Sequence, residues 1–192
     1  MRGPPRWLPA SGALAGALQL DGASNYLECA DSAEFGVTDS VTIALWFKAD
    51  NSRPDQARTE ALLGKDEAWG LFRRCADGAI QFVLDGARTP TNSPSMGRSP
   101  ELVSKRRLDD GRWHHAAGTY DGKRAVLYID GAEETATPAS GDLALTTAPL
   151  RLGESTIDRG HFFNGALADA RVYSRALSGA DVRELFQAGQ KP

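Results

Sequence analysis

The chain has 192 residues, 41% of them hydrophobic and 24% charged, with a formal net charge of −3. That length and balance suit a globular fold of one domain with a full core of its own. The weak charge and the lack of a basic stripe argue against nucleic acid as a partner, and no apolar run is long enough to span a bilayer.

The N-terminal stretch "MRGPPRWLPASGALAGALQL" carries an early Arg and an Ala/Leu run like those of a signal peptide, but Pro4, Pro5 and Pro9 interrupt it. Residues 1–15 are therefore expected to be a linker or tail on a chain cut from something larger. Residues 16–189 are expected to form the domain, with 190–192 as a short tail. "VTIALWFKA" (Val41–Ala49) is β-branched, aromatic and apolar at nearly every position, as a strand buried on both faces would be. "AIQFVLDG" follows Asp77-Gly78, "RWHHAAGTY" and "RAVLYID" flank Asp121-Gly122, and Asp130-Gly131 leads into "AEETAT". Asp-Gly supplies the positive φ angles of tight hairpin turns, so three such pairs predict a ladder of antiparallel hairpins.

Asp85–Glu101, rich in Pro, Ser and Gly, is expected to be a long surface loop. Only "LSGADVRELFQAG" has helical character. Ser178 can cap, Asp181 stands three residues on, Val182, Leu185 and Phe186 make one stripe, and Gly189 is expected to stop the helix near Gln187. One short helix after many short strands predicts an all-β sandwich. Cys29 and Cys75 each lie in a strand-like run; their spacing leaves a disulfide and a free pair equally open.

"LQLDGASNYLE", "VTIALWFKA", "DGRWHHAAGTYDGKRAVLYIDG" and "FNGALADARVYSRALSGADVRELF" occur in this order. Together they resemble the laminin-G-like, concanavalin-A-like lectin/glucanase jelly-roll family. The resemblance covers roughly residues 16–189. It implies a two-sheet antiparallel jelly roll closed by a short C-terminal helix. It also implies an extracellular or cell-surface module that binds a glycan or a protein surface beside other domains, though enzymes occur on the same fold.

Strand alternation puts His114 and His115 on opposite faces of "RWHHAAGTY", so they cannot share one metal. His114 is expected to be a core or inter-sheet hydrogen bonder, and His115 an exposed candidate for ligand contact. The resemblance places Trp46 and Trp113 in the packing. A glycosidase of this fold would need carboxylates at i and i+2 of one strand, and no such run is present. Asp109-Asp110 and Glu133-Glu134 are adjacent pairs that turns explain, and no G-x-S-x-G elbow or phosphate loop occurs. The expected function is a noncatalytic binding module for carbohydrate. A protein-contacting adhesion domain and a glycan hydrolase or lyase are the alternatives.

By the resemblance, a calcium ion at the rim would use the loop residues Asp21 and Asn25 and an acid of the last strand, Asp169. Ala168 stands where the family has a further Asp, which weakens the site. For a glycan, Trp69 in "KDEAWGLFRR" offers a flat face beside charges. If Trp69 is exposed, Lys65, Trp69, Arg73, Arg74 and Gln81 would line one concave sheet, and three cations there would favour acidic sugars or sulfate.

Overall fold

The computed structural model describes residues 5–10, 14–50, 58–89, 101–155 and 160–190. Two antiparallel sheets face each other across one core. The first contains β1 (Arg6–Leu8), β2 (Ala17–Asp21), β4 (Val41–Asp50), β9 (Asp110–Tyr120), β10 (Arg124–Ile129), β11 (Ala132–Pro138) and β13 (Asn164–Tyr173). Its strand order is β1-β2-β13-β4-β9-β10-β11. The second contains β3 (Leu27–Cys29), β5 (Thr59–Lys65), β6 (Trp69–Arg74), β7 (Ile80–Leu84), β8 (Glu101–Val103) and β12 (Leu150–Leu152), in the order β3-β12-β5-β6-β7-β8. A helix, α1 (Gly179–Gln190), follows β13. This is the expected two-sheet sandwich with one short C-terminal helix. β1 lies inside the stretch expected to be a linker and pairs with β2 at the sheet edge. Most of the expected loop between Asp85 and Glu101, residues 90–100, lies outside the described residues.

The core follows from alternation. Val41, Ile43, Leu45, Phe47 and Ala49 of β4 point inward to meet Leu71, Ile80, Phe82 and Leu84 from the other sheet. Gly118 of β9 lets the sheets come close: a Cβ there would lie 2.5 Å from the Phe82 ring. The Asp-Gly turns act as expected. Asp130 and Gly131 both take positive φ, 52° and 74°, between β10 and β11, as a two-residue hairpin loop requires. Asp121 accepts backbone hydrogen bonds from Lys123 and Arg124 at 2.9 and 2.7 Å.

The outer face of β4 is also buried, because α1 lies on it. Ala44, Ala117, Val126 and Tyr128 pack under Val182 and Leu185, and Trp46 packs under Phe186. Ser178 and Asp181 form the reciprocal cap at the helix start: the Asp181 carboxylate accepts from the Ser178 N–H and the Ser178 hydroxyl accepts from the Asp181 N–H. Gly189 does not stop the helix, which runs to Gln190. It is required there by packing, since a Cβ would fall 2.3 Å from Trp46 Nε1. Cys29 is exposed and Cys75 buried; both are free thiols.

Candidate functional site

On β6, Trp69, Leu71 and Arg73 point into the sandwich, while Phe72 and Arg74 point out. On β7, Ile80, Phe82 and Leu84 point inward and Gln81 and Val83 outward. Of this outward set, Phe72, Gln81 and Val83 floor a cleft of about 280 Å³ on the six-stranded sheet. Phe72 and Val83 supply apolar surface, and Gln81 an amide. Asp66, Glu67, Asp85 and Glu101 bring carboxylates to its wall, with Ser155 beside Asp66. Asp66 and Glu67 are held there by the β5–β6 turn, in which Glu67 takes a positive φ of 63° and the Ala68 N–H donates to the Lys65 carbonyl at 3.1 Å. The Ser155 hydroxyl donates to the Asp66 carboxylate at 3.3 Å. Carboxylates and a side-chain amide over an aromatic floor suit a ligand with many hydroxyls.

The structure separates the residues that the sequence grouped. Lys65, Trp69 and Gln81 border this cleft, but Trp69 is only 2% exposed and belongs to the core, so its face is not a platform. Lys65 is buried, and its ammonium donates to the Asp31 carboxylate and to the Ala148 carbonyl, 2.7 Å away. Arg73 is 1% exposed and spans Glu60 at 2.9 Å and Asp109 at 3.4 Å. Two of the three expected cations are thus committed to carboxylates inside the fold. Arg74, next in sequence to Arg73, points the other way and pairs with Asp77 at 2.9 Å. Phe72 was missed by the sequence grouping; the signal for it is its alternation against Leu71 and Arg73.

The histidines do lie on opposite faces. His114 touches Phe47 on the inner side and bonds Asp130 and Asp110 at 3.0 and 3.1 Å, joining β9 to the β10–β11 turn within one sheet. The Asp130 carboxylate raises its pKa above the usual imidazole value. His115 is buried, 3% exposed, between Trp46 and Phe186 beneath α1, so the expected exposure does not occur. Burial pushes its pKa down to about 4. It lies on the seven-stranded sheet and shares no cleft with Lys65 or Gln81. Asp109, expected as a turn acid, is buried as the partner of Arg73 and Arg107. Trp46 is packed as the resemblance implies. Trp113 is only half-buried and lines a separate apolar groove of about 510 Å³ with Leu8 and Leu14.

The three residues named for calcium do not converge. Asp21 Oδ1 accepts from the Ala23, Ser24 and Asn25 N–H groups at 2.9, 2.9 and 3.3 Å, and Oδ2 from the Ser24 hydroxyl at 2.9 Å. These bonds hold its pKa down at about 2 against the opposing effect of burial. Asn25 Oδ1 accepts from the Asp21 N–H at 3.0 Å, so both side chains close their own loop. Asp169 lies five residues along β13 from Asn164, the register partner of Asp21, or roughly 16 Å of strand away. There it grips Arg171 with both oxygens at 2.8 and 2.9 Å. This donor set does not fit one calcium ion. Among the described residues, no group of three or more His, Cys, Asp or Glu side chains is placed to hold a metal.

A family model described as the concanavalin A-like lectin/glucanases superfamily matches residues 21–183. No curated protein sequence gives a match. Among solved structures, the binding domain of Paraclostridial Mosquitocidal Protein 1 superposes with a TM-score of 0.72 at 15% identity, over 98% of this chain and 49% of its own. The receptor binding domain of botulinum neurotoxin D gives 0.65 at 15%, over 89% of this chain and 43% of its own. The chain thus spans about half the length of the first and less of the second. Domain 4 of AbnA, a GH43 extracellular arabinanase from Geobacillus stearothermophilus, solved in complex with arabinotriose, gives 0.63 at 21%, over 96% and 82%. At these identities the likeness is one of fold.

Proposed function

The chain belongs to the concanavalin A-like lectin/glucanases superfamily, and from that premise we propose that it is a noncatalytic module that binds a glycan on the outer face of its six-stranded sheet. The observation that carries this reading is the cleft floored by Phe72 and Val83 and walled by Gln81, Asp66, Glu67, Asp85 and Glu101. A sugar ring presents an apolar face to Phe72 and hydroxyls to the carboxylates and the amide. Ser155 is hydrogen-bonded to Asp66, which fixes that carboxylate where a sugar hydroxyl would meet it. Two neighbours of the same fold are titled binding or receptor binding domains, and a third, from an extracellular enzyme, was solved with arabinotriose. They support a binding role and an extracellular setting. No helix among the described residues is long and apolar enough to cross a membrane.

A protein-contact reading draws on one further observation. Trp7 of the edge strand β1 is 67% exposed, which is large for a Trp on a sheet edge. The two readings separate on a glycan array probed with the purified chain and with its Phe72→Ala and Trp7→Ala variants. Glycan binding lost in Phe72→Ala and kept in Trp7→Ala supports the cleft. An array with no bound member overturns the glycan reading.

A further inference from the structure

The cleft does not end at Gln81. A second hollow of about 410 Å³ shares Thr59, Gln81 and Glu101 with it and continues over the same sheet past Arg58, Arg74, Ala76 and His161. The two halves differ in charge. The first has carboxylates on its wall, and its one lysine is spent on Asp31 and a carbonyl. The second has two guanidinium groups and an imidazole against Glu101 at the shared boundary.

Two nitrogens of the second half are buried without a hydrogen-bond partner among the described residues, Arg58 Nε and His161 Nδ1. Arg58 is held in place from behind, its terminal nitrogens donating to the Gly160 carbonyl and to Glu60, both at 3.4 Å. Arg74 is 41% exposed and pairs with Asp77, so part of its donor fork faces solvent. The buried Arg58 Nε–H costs free energy until something supplies an acceptor, and His161 Nδ1 offers a second donor in the tautomer that places its proton there. An oxyanion supplies several acceptors at once and suits the planar fork of Arg.

We infer that the Arg58, Arg74 and His161 end of the groove seats an oxyanion substituent of the bound glycan, a carboxylate or a sulfate, while the Phe72 and Glu67 end holds its hydroxylated rings. This rests on the glycan reading given above. The charge asymmetry then sets the direction in which a strand lies. A neutral strand makes contacts in the first half and leaves the second half without acceptors. A strand with an acidic unit fills both.

The test uses matched pairs of oligosaccharides titrated into the purified chain: oligogalacturonate against its methyl ester, and a sulfated chondroitin tetrasaccharide against its desulfated form. The acidic member of at least one pair is expected to bind about tenfold more tightly. Arg74→Gln and His161→Gln should each shrink that preference, while Phe72→Ala weakens acidic and neutral members alike. The carboxylate and sulfate pairs distinguish the two oxyanions. Equal or better binding of the neutral members overturns this inference and leaves the glycan reading standing. A preference that persists undiminished in both variants overturns the location. No binding by any member overturns this inference and the glycan reading together.

Discussion

Phe186 of α1 stacks on Trp46 of β4 with ring centroids 5.5 Å apart and 17° between the planes. This contact anchors the helix to the seven-stranded sheet, and Gly189 lets the next turn come down on the indole. Phe186→Ala should therefore cost about 3 kcal/mol, at the low end for losing a Phe because the ring is only partly buried. Urea unfolding followed by tryptophan fluorescence measures the loss, and a midpoint equal to that of the native chain would show that α1 contributes nothing to the sandwich.

The same contact buries His115 and makes stability depend on pH. The folded-state pKa is lowered to about 4 from an unfolded value near 6.5. Between these values the unfolded chain takes up a proton that the folded chain refuses, so stability falls as pH drops from about 6.5 to 4. The loss is on the order of 3 kcal/mol. His114 acts with the opposite sign: its raised pKa contributes stability below about 6.5 that is lost as pH rises through the higher folded value. Melting curves of the native chain and His115→Phe, recorded from pH 7 to 4.5, should diverge, with the variant flatter. Parallel curves would sink the assignment.

Arg73 and Arg74 are neighbours with opposite fates, and the difference is measurable. Arg73→Met leaves Glu60 and Asp109 buried with less compensation and should cost about 3–5 kcal/mol. Arg74→Met removes a surface ion pair with Asp77 and should cost less than about 1 kcal/mol. Chemical denaturation of the two variants side by side checks the order; similar losses would mean that Arg73 is not carrying a buried network.

Calcium should leave the melting curve unchanged. Asp21 and Asn25 spend their oxygens on their own loop, and Asp169 is bound to Arg171. Asp21→Ala should lower stability by about 1 kcal/mol through the lost loop hydrogen bonds, with and without the ion. Scanning fluorimetry in millimolar calcium against chelator decides this, since a clear rise with calcium would require a donor arrangement other than the one described.

The sequence by itself determined the sandwich. Asp-Gly turns carry their conformational demand in two residues, the apolar run of β4 needs cover on both faces, and the Ser178 to Asp181 cap closes within four residues. Each of these signals is local, so it survives without knowledge of the rest of the chain. The site was legible only in part. Period-two alternation already sends Arg73 and Arg74 to opposite faces, yet it cannot say which face is the core, because that depends on which strands lie opposite. Only the tertiary structure brought Glu60 and Asp109 to Arg73, turned Trp69 inward and set the half-buried Phe72 in the outer cleft. Likewise, nothing near His115 in the sequence announces that a helix about seventy residues further on will cover it. The contacts that decide burial here join residues far apart in the chain, and burial decides whether a charged or aromatic side chain is part of the core or free to meet a ligand.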